Sequence, residues 1–69
     1  MNTRTLTGRV TRTSGRYFVV ETDGPGDLKT LNLVKGQMYG AVVGDTVELM
    51  YYATASSGLW VVTKILSFA

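Results

Sequence analysis

Cysteine and histidine are both missing from this 69-residue chain. Without cysteine no disulfide can staple the fold and no thiolate can hold a metal. Without histidine the commonest metal ligand and the commonest general base are gone as well. A zinc site and a Ser-His-Asp arrangement are therefore excluded. Proline occurs once, and charged residues make up 17% of the chain against the usual quarter. No apolar stretch approaches the roughly 18 residues needed to cross a bilayer, and the N-terminus lacks the apolar core of a signal peptide. The expectation is a cytoplasmic protein with no membrane contact, whether of a cell or of a virus or plasmid inside one.

What is present fits one domain spanning residues 1–69, near the lower limit at which a chain buries a core unaided. Stability has to come from packing or from a partner chain. The net charge of +2 is small, but its distribution is uneven. Arg4, Arg9, Arg12 and Arg16 all precede the first acid, Glu21, so the opening segment is a basic stripe. Such a stripe serves either a ligand or the solubility of a strand edge.

Hydrophobic residues recur with a period of two almost throughout, and no window shows helical spacing. The first strand is expected over Thr3 to Thr13, with Leu6 and Val10 on one face, Gly8 between them, and Thr5, Thr7, Arg9 and Thr11 on the other. A glycine in the middle of a long strand permits sharp coiling. Ser14-Gly15 signals a hairpin. A second strand over Arg16 to Thr22 places Phe18 and Val20 on one face and Tyr17, Val19 and Glu21 on the other. The turn cluster from Asp23 to Asp27 precedes a third strand over Leu28 to Val34, with Leu31 and Leu33 as its core pair. Lys35 to Val43 is irregular, and Gly36, Gly40 and Gly44 limit it to one helical turn. Gly44-Asp45 then turns into a fourth strand, Thr46 to Ala53, and Thr54 to Gly58 forms a loop. The last strand, Leu59 to Leu66, carries Trp60 and Val62 on one face and Leu59, Val61 and Ile65 on the other.

Five strands with a glycine-bent opener make a small all-β barrel the economical arrangement, because closure removes exposed edges. The order of signals adds to this. Gly8-Arg9-Val10, Tyr17-Phe18-Val19-Val20-Glu21, Lys35-Gly36-Gln37-Met38 and Val43-Gly44-Asp45-Thr46-Val47-Glu48-Leu49 together resemble an OB-fold domain of the S1 type. The likeness is to bacterial translation initiation factor 1 and to the N-terminal domain of the ribosome-assembly GTPases. It covers nearly the whole chain in matching order. It implies RNA binding across the outer face of strands two and three, with Tyr17 and Val19 on that face, Arg9 and Arg16 nearby and Lys35 at its edge. The chain departs from the family after Gly36, where Gln37, Met38, Tyr39 and Gly40 replace a basic cluster. An SH3-like barrel is the alternative topology, since it too carries a Gly-Asp-x-Val turn.

Single-stranded nucleic acid is bound by aromatic platforms for bases beside a positive groove for phosphates. Arg9, Arg12, Arg16 and Lys35 supply charge, and Tyr17 and Tyr52 are the candidate platforms, with either Tyr51 or Tyr52 expected in the core. The carboxylates Asp23, Asp27, Asp45 and Glu48 have turn and strand positions rather than catalytic or metal-binding spacing. Gly24-Pro25-Gly26 lacks the lysine and helix of a phosphate-cradling loop. No enzymatic activity, metal or cofactor is expected. The last strand supports a different function. Leu59, Val61, Ile65 and Phe68 would form an apolar patch for a protein partner or a second copy, unless residues 35–43 fold across it. The leading reading is a noncatalytic binder of RNA or single-stranded DNA, and the rival is a protein-interaction module such as a small phage or plasmid factor.

Overall fold

Alternating side chains and tight turns produce five strands in the structure, a computed structural model that describes residues 4–53 and 55–69. They are β1 (Thr5–Ser14), β2 (Tyr17–Thr22), β3 (Thr30–Val34), β4 (Thr46–Ala53) and β5 (Gly58–Ser67). All neighbours are antiparallel, in the order β3-β2-β1-β4-β5. The fourth strand has the bounds expected of it. The third begins two residues later than expected because Gly26–Lys29 forms a 3-10 turn. Thr3, the expected first strand residue, lies outside the described residues.

The sheet coils into a barrel-like body. Its radius of gyration is 11.3 Å, about what a compact chain of this length has. Leu6 and Val10 of β1, Val20 of β2, Leu33 of β3, Val47 and Leu49 of β4, and Trp60 and Val62 of β5 form one buried cluster. Gly8 sits where β1 pairs with both sides at once, facing Thr22 of β2 and Val47 of β4. A Cβ there would lie 2.8 Å from the Glu21 carbonyl oxygen and 2.9 Å from Val20 Cγ1. The coil passes through the space that a side chain would occupy.

The β1–β2 hairpin closes through Gly15-Arg16, one residue later than the expected Ser14-Gly15, with Ser14 paired to Tyr17. Gly15 has a φ of 60°, and a positive angle at the first loop position alone is the type II′ pattern that suits strand twist.

Two irregularities move side chains from the face that simple alternation gives them. In β1, Val10 pairs with Val20 and Arg12 with Val19, so Thr11 is an extra residue in a β-bulge. In β5, Thr63 and Leu66 are both passed over, so that Ile65 pairs with Val47. Ile65 is half-buried against the core. This corrects its expected place on the outer face beside Leu59 and Val61.

The two outer strands, β3 and β5, are not paired with each other, so the sheet is open along one seam. Residues 35–43 fill that seam rather than covering the outer face of β5. Met38 and Ala41 are buried in the core. The Gln37 side chain accepts a hydrogen bond from the Val34 N–H (2.9 Å) and donates one to the Trp60 carbonyl (2.8 Å). One amide thus joins the edge of β3 to the edge of β5.

Candidate functional site

Residues directly opposite each other in adjacent strands share a face of the sheet. On the outer face Arg9 lies across from Glu21, Arg12 across from Val19, and Ser14 across from Tyr17. The rows continue onto β3, where Glu21 faces Thr30, Val19 faces Asn32, and Tyr17 faces Val34. Arg9, Arg12 and Tyr17 therefore share one outward surface. Arg16 adjoins it in the hairpin turn, and Lys35 follows Val34, the partner of Tyr17. All five of these residues are exposed.

The bulge at Thr11 brings Arg12 to this surface. By alternation from Leu6 and Val10, Arg12 would point inward. The extra residue turns it outward, and the Thr11 hydroxyl donates to the Val19 carbonyl at 3.3 Å. Bulges commonly re-aim side chains in this way beside binding and active sites. Val19 itself is 1% exposed although it faces outward. Arg12 and Asn32 stand on either side of it in the same row.

Charge is segregated along this face. Arg9 has the carboxylate of Glu21 opposite it, but the hairpin end is different. Residues 10–20 and 28–44, which build that end, contain no Asp or Glu. Arg12, Arg16 and Lys35 therefore gather around Tyr17 and Val34 without a neutralising partner in the same segments. The acids lie elsewhere. Asp23 accepts from the Thr7 N–H at the far end of β2, and Glu48 faces Lys64 across β4–β5. Asp45 is buried at 2% exposure and accepts from the N–H groups of Val42 (3.0 Å) and Ala69 (2.8 Å). It is a structural clamp. Among the described residues no three His, Cys, Asp or Glu side chains converge.

The remaining aromatic residues divide as follows. Trp60 is buried, and Tyr51 leans on it with ring centroids 5.4 Å apart, while the Arg4 guanidinium sits over the Tyr51 ring, 5.9 Å from its centroid. Arg4 is thereby separated from the other three arginines. Tyr52 points outward, paired with Leu59, and both are exposed. Val61 is half-buried on the same outer face, and Phe68 lies beyond β5 at 76% exposure.

Three contributors escaped the sequence reading. Val34 and Asn32 lie on the outer face beside Tyr17, and the pairing register that puts them there has no local sequence signal. Gln37 carried a hint, because a polar side chain stands where the resembled family has a basic one, yet its role as a bridge depends on the far end of the chain. No family model, curated protein or solved structure gives a significant match to this chain.

Proposed function

We propose that this protein is a noncatalytic binder of single-stranded nucleic acid, RNA or DNA, which it meets on the outer face of β1, β2 and β3. Arg12, Arg16 and Lys35 contact phosphates, and Tyr17, flanked by Val34, stacks on a base. Arg9 plays a lesser part because Glu21 offsets it. The observation that carries the reading is the acid-free hairpin end, with an exposed tyrosine inside its ring of cations. An open face of this kind suits an extended strand with unstacked bases. The reading also agrees with what the S1-type resemblance implies, and the β3-β2-β1-β4-β5 order suits an OB-like barrel. With Ile65 turned inward, the apolar surface for a protein partner loses one of its four residues and keeps Leu59, Val61 and Phe68, so the nucleic-acid reading is the better supported.

Titration of labelled single-stranded RNA and DNA at two salt concentrations tests it. Three phosphate contacts give a loss of about two log units of affinity per decade of salt. The variant Arg12→Gln, Arg16→Gln, Lys35→Gln removes three charges from exposed positions and should lose most binding with little change in melting temperature. Salt-independent binding, or a triple variant that binds as the parent does, would overturn the proposal.

A further inference from the structure

Resting on that reading, we infer that the binding surface continues across the seam onto β4 and β5, where Tyr52 and Leu59 form a second platform for the same strand of nucleic acid. Two hydrogen bonds to a single amide, at 2.9 and 2.8 Å, hold the backbones of Val34 and Trp60 within about 8 Å of each other. Val34 faces outward on one side of this seam. On the other side Trp60 faces inward, so its neighbours Leu59 and Val61 face outward, and Leu59 is paired with Tyr52. Tyr17, Val34, Leu59 and Tyr52 are 43%, 37%, 43% and 50% exposed. They form one band, interrupted only where Gln37 joins the edges.

The two tyrosines lie at opposite ends of the band. By strand spacing, with the seam included, their strands are roughly 18 Å apart around the barrel. A stacked strand advances about 3.4 Å per nucleotide and an extended, unstacked one about twice that, so the band spans about three to five nucleotides. A trinucleotide, with only two such steps, therefore reaches one platform and a nonanucleotide reaches both. Gln37 acts as a positioning residue, because it sets the separation of the two halves.

The probes are labelled oligouridylate and oligothymidylate of three and nine nucleotides, titrated at low salt. Tyr52→Ala and Leu59→Ser should each weaken nonamer binding about fivefold or more, the value of one stacking contact, and leave trimer binding unchanged. Tyr17→Ala should weaken both lengths. Gln37→Ala, checked for folding by circular dichroism, should weaken the nonamer more than the trimer. The inference is overturned if Tyr52→Ala binds the nonamer as tightly as the parent does, including the case in which it alters only self-association in sedimentation. That outcome leaves the proposed function standing when the parent binds both lengths. A parent that binds neither length removes the proposed function and this extension together. Comparing uridylate with thymidylate distinguishes an RNA ligand from a DNA ligand.

Discussion

Gly8 leaves no room for a methyl group. Its Cβ would fall against a main-chain carbonyl and a packed valine, and neither can move without shifting β2. Gly8→Ala should cost about 1–3 kcal/mol, the range for overpacking a filled core. For a domain of this size that lowers the melting temperature by about 4–8 °C per kcal/mol. Gly36→Ala is the control, since nothing lies within 4 Å of its Cβ position and its φ is not positive; thermal melting should show it neutral. Asp45 is the matching case for a polar residue. Removing its carboxylate leaves the Val42 and Ala69 N–H groups without their acceptor. Asp45→Ala should therefore destabilise by about 2–4 kcal/mol in urea unfolding, and Asp45→Asn, which keeps one acceptor oxygen, by less. In the sequence Asp45 reads only as a turn residue. Its burial is set by Ala69, 24 positions away, which no local pattern reveals.

At the level of strands, most of the architecture was legible. Thr-rich alternation placed β1, and the fourth strand was placed to the residue, because the two-residue period directly records which face is buried. The bulges were not legible. An inserted residue looks like ordinary alternation until the pairing partner is known, so alternation puts Ile65 on the outer face, where the structure does not have it, and carries no sign of the bulge that holds Arg12 outward. Five of the six candidate binding residues nevertheless share one surface, since Arg9, Arg16, Tyr17 and Lys35 follow from hairpin geometry alone. Tyr52 stands apart from them, across the seam. The bulge in β1 makes a direct test possible. Deleting Thr11 leaves Arg12 next to Val10 and still opposite Val19, with Thr13 and Ser14 still opposite Phe18 and Tyr17, so the ladder becomes regular and Arg12 stays on the outer face. The deletion variant should therefore unfold in urea as one cooperative transition close to the parent's. A variant that does not fold would show that the bulge does more than accommodate one extra residue.

On the scale of the whole molecule, two features act together. Three cations gather at an end whose segments carry no carboxylate, and one amide joins the two edges of an open sheet. Gln37→Ala removes both seam hydrogen bonds and leaves every strand pairing intact. At about 0.5–1.5 kcal/mol for each bond, the expected loss is about 1–3 kcal/mol, measurable as a fall in melting temperature. A melting temperature unchanged by Gln37→Ala would mean that Met38 and Ala41 hold the seam without the amide.

A body fastened in this manner can part along one line while its ladders stay whole. The Val34 amide proton is guarded by a side chain and not by a neighbouring strand, so it should exchange with deuterated solvent by a local route. The amide of Val10, which is buried and donates to the Asp45 carbonyl at 3.0 Å, and that of buried Val47 in the β1–β4 pairing should wait for rarer and larger openings. Exchange rates would thus reveal a molecule that flexes like a cuff around a clasp.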